Sequence, residues 1–357
     1  MTIHLVYPHQ NKISAPDIIG YVLSQVLSSM GEVITYEWDS LEKIYAHPGD
    51  MLIGHPHPIP FTIFRRSFKN ENWARIIILQ PFNLDVNQVG YLDSIIDKCD
   101  LFLAITGKYW FDRIDRSFLA RWSPKMRHLD LAVDRKSFPR IKSKFNPPGQ
   151  RKFIYIGNDN PVKNVSFLSK IARALPEYCF GWAGRGSGHN GLHRLGYRDF
   201  SSQSGQELIR QYDFLITLGT ADANPTTILE AMSWGLVPIC TPTSGYENIP
   251  GIVNVPTNDL EETIAVLRRL QYAPEEELLS LVARADELLA THFTWDRFCR
   301  QVVSALISDT SPLLGEYPLV PLHRCYSFES YKSYSRMFAR TLLLNIGYFL
   351  RLPRNTP

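Results

Sequence analysis

The stretch Asp222-Ala-Asn-Pro-Thr-Thr-Ile-Leu-Glu-Ala-Met-Ser-Trp-Gly-Leu-Val-Pro-Ile239 fixes how the rest of the chain is read. It follows an apolar run, Phe214–Leu218, and reads as strand, short loop, helix, strand. Asn224 suits an N-cap, and Pro225 suits a first helical residue, where a missing N–H costs nothing. The N–H groups of Thr226, Thr227 and Ile228 would then point out of the helix start, where the dipole favours an anion. Glu230 lies four and three residues beyond these threonines and shares their face. Gly235 ends the helix, and Leu236–Cys240 supplies the next buried strand. Anion-binding amides, two hydroxyls and the carboxylates of Asp222 and Glu230 therefore meet at one strand's carboxyl end. That combination suits a phosphorylated sugar or nucleotide.

The flanking sequence continues the alternation of strand and helix. Lys152–Ile156 is a strand that runs into Gly157-Asn-Asp-Asn-Pro-Val-Lys-Asn164. Asn160 and Pro161 repeat the N-cap and first-residue pattern, ahead of an apolar stripe at Val165, Leu168, Ile171 and Leu175. Tyr178–Ala183 is the next strand, and Glu207–Gln211 a short helix. Upstream, Ile3–Tyr7, Val33–Tyr36, Met51–Gly54, Arg75–Leu79 and Leu101–Ile105 read as strands, with a helix after Pro16. Such alternation predicts doubly wound parallel sheets. The 357 residues suit two domains, with the linker at Lys142–Gln150.

The run from Asp222 to Ile239 resembles the nucleotide-sugar motif of retaining GT-B glycosyltransferases of the group-1 (family-four) class. In that motif an acid, seven residues and a Glu precede an Ala-Met/Leu-x-x-Gly-x-Pro-Val segment. The resemblance is specific from about Lys152 to Leu306. It implies an α/β GT-B fold, two Rossmann-like domains facing across a cleft, with a carboxyl-terminal helical segment returning to the first. The expected boundaries are 1–145 for an acceptor-side domain, 151–308 for the nucleotide-sugar domain and 309–357 for the returning segment, within which Tyr326–Leu352 carries the apolar content. Thr291–Leu306 resembles the family's last carboxyl-domain helix.

Site residues follow from the same resemblance. Lys163 falls on the position of a Lys that binds the donor diphosphate, while Asn158 stands where the family has Arg. Glu230 would accept hydrogen bonds from the ribose hydroxyls. Asp222 occupies the place of a Glu that touches the donor sugar, but it is shorter and reads equally as a loop acid. Gly157, Asn224, Thr226 and Thr227 complete the donor cradle. Gly184 and Arg185 lie where the base is contacted, or in a surface turn, since the spacing of a dinucleotide loop is not complete. In the amino domain, His55 matches a His near the transferred sugar, with His57 as rival and satisfied loop histidines as the alternative. Gln80 ends a strand that should face the cleft. The acceptor side is otherwise unreadable.

A net charge of +3 and 45% hydrophobic residues describe an ordinary globular protein rather than a nucleic-acid binder. Five scattered cysteines suit buried thiols in the cytoplasm. No apolar run reaches the length of a membrane span. Basic residues outnumber acids between Lys108 and Lys152, from Arg113 to Lys144, which suits either a solvated face or peripheral contact with an anionic membrane. The activity implied is transfer of a hexosyl group from a UDP- or GDP-linked sugar to a glycan or lipid-linked acceptor, with retention. No cofactor, no metal and no dedicated protein base is expected. A sugar-nucleotide epimerase on the same fold and a non-catalytic sugar-nucleotide-binding protein are the alternatives.

Overall fold

The protein is described from a computed structural model, which covers residues 1–9, 15–84, 86–117 and 119–307. The chain forms two compact units. Among the described residues the first contains Met1–Ile105, Asp112–Leu129 and residues 299–307; the second contains Thr106–Phe111 and Asp130–Phe298.

The first unit is built on a six-stranded, all-parallel sheet. Its strands are β1 (Thr2–Val6), β2 (Glu32–Tyr36), β3 (Asp50–Gly54), β4 (Trp73–Pro81), β5 (Leu101–Ile105) and β6 (Met126–Leu129), in the order β2-β1-β3-β4-β5-β6. The interior strands are runs of Leu, Ile and Phe with both faces covered, as a doubly wound sheet demands; every residue of β3 and β5 is buried. The order reverses direction between β1 and β3. The helix Trp295–Ile307 spans the boundary between the units at Phe298 and Cys299, and within the first unit Arg75 donates to the Leu306 carbonyl. The expected returning segment, 309–357 with Tyr326–Leu352, lies outside the described residues.

The second unit repeats the plan. Its strands β7 (Lys152–Ile156), β8 (Cys179–Ala183), β9 (His193–Gly196), β10 (Phe214–Thr217), β11 (Val237–Cys240) and β12 (Val253–Asn254) are all parallel, in the order β12-β11-β10-β7-β8-β9. The reversal here falls between β7 and β10. Sequence patterning missed β9 and β12, which are short and lie at the sheet edges, with little apolar content to mark them. By contacts the second unit already begins at Asp130, whereas the division at 145 and 151 rests on the composition of the prolyl linker.

A buried carboxylate ties that linker to the sheet. Asp213, at the foot of β10, is fully buried and pairs with the Lys142 ammonium at 2.9 Å. It also accepts from the Asn146 and Lys152 N–H groups, each at 2.8 Å, and from the Asn146 side-chain amide at 2.7 Å. Arg151 beside it is equally buried and donates to the carbonyls of Leu270 and Ala273 at the end of the Leu260–Tyr272 helix. Breaking a buried pair by removing one partner costs about 3–5 kcal/mol, because the other charge stays behind unpaired. Asp213→Asn is therefore expected to lower unfolding stability by about that amount in urea titration; a loss below about 1 kcal/mol would show that the hub contributes little.

Candidate functional site

Loops at the carboxyl ends of β7, β8, β10 and β11 build the site. After β7 the chain turns at Gly157, whose N–H donates to the Ala183 carbonyl at 3.0 Å and whose carbonyl accepts from the Trp182 indole at 2.9 Å. The following loop starts at Gly184. A Cβ there would lie 1.8 Å from the Gly157 carbonyl oxygen, and φ is +159° at Gly184 and +154° at Gly157. Only glycine permits this close approach of two loops. Asn158 folds back on itself: its side chain accepts from the Asn160 N–H at 3.1 Å and its carbonyl from the Tyr155 hydroxyl at 2.7 Å. Arg185 is exposed and lies over the Tyr197 ring, 4.7 Å from its centroid.

Asn160 does cap, but what it caps is one turn of 3₁₀ helix, Pro161–Lys163, through the Val162 N–H. Asn164 then takes the left-handed conformation, and the α-helix runs from Val165 to Ala174. Lys163 thus lies in the 3₁₀ turn before the α-helix, rather than in the first turn of that helix as expected. Its ammonium forms an ion pair with the carboxylate of Asp222, half-buried on the Lys side. The β7 and β10 loops are further joined by Thr220 N–H to the Val162 carbonyl (2.8 Å) and by the Asn164 amide to the Leu218 carbonyl (3.2 Å).

The Asp222 backbone is fixed from two sides. Its N–H donates to the Thr243 carbonyl at 3.0 Å, and its carbonyl accepts from the Trp110 indole at 2.6 Å. Gly107 N–H donates to the next carbonyl, Ala223, at 2.7 Å. Sequence reading assigned Trp110 and Gly107 no role, because they lie more than a hundred residues upstream and no local pattern marks them.

The helix expected at Pro225 begins at Thr226 and ends at Trp234. Pro225 takes ψ of 122°, outside the helix, and is itself the N-cap residue; Asn224 makes no capping bond. The expected Asn224 cap is corrected on this point. Its side chain is instead 7% exposed, and neither its amide nitrogen nor its oxygen has a hydrogen-bond partner among the described residues. The Ile228 N–H is satisfied by the Pro225 carbonyl at 3.2 Å, so the free amides at this helix start are those of Thr226 and Thr227. Gly235 closes the helix in the left-handed region, with Leu236 N–H bonded back to the Ala231 carbonyl at 3.0 Å.

Glu230 is half-buried, yet enough protein surrounds it that burial pushes its carboxyl up to about 7; a hydrogen bond with the Thr226 side chain offsets part of that rise. Tyr246, on the loop after β11, is buried with its hydroxyl unpartnered among the described residues, and it lies in the field of Asp130, Asp222 and Glu230. Burial pushes its phenol far above the ordinary tyrosine value. Tyr246 is absent from the sequence-based candidates, although its Gly-Tyr context after a strand is the one hint the sequence carries.

In the first unit, His55 directly follows β3 and is buried, and burial followed by the neighbouring His57 lowers its imidazole to about 3. Part of the basic run is engaged internally, while Arg116, Lys136 and Lys144 are exposed. Lys125 donates to three carbonyls, Arg121 pairs with Asp93 and Asp97, Arg135 and Arg140 pair with Asp286, and Lys142 is buried against Asp213. No helix among the described residues is long and apolar enough to cross a membrane.

No protein-family model and no curated protein matches the sequence. Solved structures do match the fold. Sucrose-phosphate synthase from Thermosynechococcus elongatus superposes with a TM-score of 0.62 at 12% identity, covering 85% of this chain and 98% of that one. HepE from Anabaena, solved with UDP and glucose, gives 0.58 at 10% identity over 86% and 99%. A mutant of S. aureus TarM, solved with fondaparinux, alpha-GlcNAc-glycerol and UDP, gives 0.56 at 12% identity over 82% of this chain, which spans 59% of that one. The chain has the GT-B fold. Within that α/β fold the two parallel sheets are the two Rossmann-like halves.

The Glu230 carboxyl makes a stability prediction with a defined sign. Its folded value near 7 exceeds the ordinary 4.5, so the folded state holds the proton more tightly. Stability from this group is therefore present below about 4.5 and is lost as pH rises toward 7. Glu230→Gln should melt progressively above the ligand-free wild type as pH is raised across that window. Parallel melting curves at every pH would contradict it.

Proposed function

We propose that this protein is a retaining glycosyltransferase that moves a hexosyl group from a nucleoside diphosphate sugar to a glycan or lipid-linked acceptor. The observation that carries the proposal is the convergence at the β7/β10 reversal of Lys163, the Thr226–Thr227 amides, buried unpartnered Asn224 and the protonatable Glu230. Ligands of open parallel sheets bind where the strand order reverses. HepE and TarM, which share the fold, were solved with UDP.

On this proposal the amides of Thr226 and Thr227 and the Lys163 ammonium hold the diphosphate. They are aimed in advance at the charge that builds on the departing phosphate, so little reorganisation accompanies bond cleavage. The diphosphate displaces the Asp222 carboxylate from Lys163, and Asp222 is released to hydrogen-bond a hydroxyl of the donor sugar. Glu230, as carboxylate, accepts from the ribose hydroxyls. Gly157 and Gly184 let backbone approach the ligand, with Asn158 beside the phosphates and Arg185 near the base. Asn224 offers its unpartnered amide to the donor. No metal and no separate protein base is invoked, and the donor can carry uridine or guanosine.

Cys99, Cys179 and Cys240 are free thiols, which suits a reducing cytoplasmic setting. The decisive experiment is isothermal titration with UDP, GDP and their sugars, combined with transfer assays. Lys163→Ala and Glu230→Ala should each weaken donor binding by about ten- to a hundredfold, the worth of one hydrogen bond to a charged group. Asp222→Asn should leave nucleoside diphosphate binding intact or tighter, since Lys163 is freed, while slowing transfer. Tight donor binding with no turnover for any acceptor would favour the non-catalytic binder, and interconversion of the donor sugar would favour the epimerase.

A further inference from the structure

Six residues that follow β5, Thr106–Phe111, belong by contacts to the second unit, and Lys108–Phe111 within them forms a single helical turn. Two hydrogen bonds seat this strap on the loop after β10. The Trp110 indole donates to the Asp222 carbonyl at 2.6 Å, and the Gly107 N–H donates to the Ala223 carbonyl at 2.7 Å. The buried Thr106 hydroxyl adds a longer contact to the same Ala223 carbonyl, at 3.5 Å. The seat depends on close approach of backbones. A Cβ at Gly107 would lie 1.9 Å from the Gly245 carbonyl oxygen, and one at Gly245 would lie 2.7 Å from that of Ala223. Gly245 also holds φ of +98°, a left-handed value open to glycine at no steric cost. The backbones at 107, 223 and 245 therefore stack with no side chain between them.

Asp222 is held at both ends of its own backbone, since its N–H donates to the Thr243 carbonyl at 3.0 Å while its carbonyl takes the indole. With both peptides fixed, only the two side-chain torsions remain to place the carboxylate. The ion pair with Lys163 cannot do this work alone, because the ammonium sits on a flexible four-carbon stem. The pair must also open when a phosphate takes the ammonium. Once it has opened, the backbone bonds are what keep Asp222 in place. The strap's bonds fall on the carbonyls of Asp222 and Ala223, ahead of the helix that starts at Thr226. The phosphate-binding amides and the sugar-binding carboxylate are thus under separate control.

We propose that Trp110 is a positioning residue for Asp222. Its indole fixes the peptide that carries the carboxylate, so the carboxylate points at a hydroxyl of the donor sugar after a phosphate has claimed Lys163. The inference rests on the nucleotide-sugar reading above and names what lets that site prefer a sugar-bearing donor over the bare nucleoside diphosphate. Lys163 and the amides of Thr226 and Thr227 grip the phosphates that both ligands share. Trp110 acts only on the part that differs.

The test is isothermal titration of the full chain with UDP, GDP and their hexose conjugates. Trp110→Phe keeps an aromatic ring and removes the N–H. It should weaken the sugar nucleotide about three- to tenfold, the worth of one neutral hydrogen bond, and leave the matching nucleoside diphosphate within about twofold of the wild type. On an Asp222→Ala background the same substitution should cost neither ligand more than about twofold, because the group it positions is gone. A merely structural tryptophan would weaken both ligands alike and would do so on either background. That outcome, or no change in either ligand, overturns the inference and leaves the nucleotide reading standing. Failure of the wild type to bind any of these ligands overturns both. Should Trp110→Phe not fold, hydrogen exchange on the wild type decides. The amides of Gly107 and Asp222 are expected to be as protected with the sugar nucleotide bound as without it, and faster exchange at either on binding overturns the inference.

Discussion

Lys163 and Asp222 are separated by 59 positions, yet their ion pair joins the loops that follow two neighbouring strands of the second sheet. Parallel strands leave all their carboxyl ends on one edge, and β7 and β10 are neighbours whose connections depart in opposite directions. A gap is unavoidable at that point. The ion pair, the Thr220–Val162 backbone bond and the Asn164 amide hold its two sides at a fixed spacing. An ammonium already held by a carboxylate is placed before any ligand arrives. A phosphate that replaces that carboxylate exchanges one charge-assisted bond for another, so positioning costs little.

The two units solve the same problem with different chemistry. In the second, the reversal of strand order collects charge: a lysine, two carboxyl groups and helix amides. In the first it collects neutral donors and aromatic rings, with an imidazole that burial keeps uncharged. Both edges keep buried polar atoms unpaired, Asn224 and Tyr246 in one, Tyr7 and Gln80 in the other. At Asp213 a comparable burden is fully met, by an ammonium and three N–H donors around one carboxylate. Unmet groups at strand ends are available to a ligand, whereas those of Trp122, Trp234 and Gln271 lie within helices among the described residues.

Much of the fold was legible in the sequence because buried parallel strands are continuous apolar runs. Leu101–Ile105 and Phe214–Thr217 could be read directly, and Gly235 ended its helix as expected. The edge strands β9 and β12 were not legible, being short and half-exposed. Lys163 and Glu230 could be nominated from their motifs, but their pairing and environment could not. The Lys163–Asp222 contact is nonlocal, and the Glu230 carboxyl owes its behaviour to surrounding bulk. The two Asn-Pro pairs part here: Asn160 caps with Pro161 as first residue, though of a 3₁₀ turn, whereas Pro225 stands before its helix. A prolyl φ suits the residue before a helix as well as the first residue within it, and only ψ tells them apart. Trp110, which anchors Asp222 from far upstream, left no local trace at all.

The central claim is that a nucleoside diphosphate seats its phosphates at the β7/β10 reversal. A crystal structure of the full chain soaked with UDP or GDP tests it most directly. The phosphates should lie against the N–H groups of Thr226 and Thr227, with the Lys163 ammonium turned from Asp222 onto a phosphate oxygen and the ribose hydroxyls on Glu230. Phosphates bound at any other place, with the Lys163–Asp222 pair intact, would contradict the account.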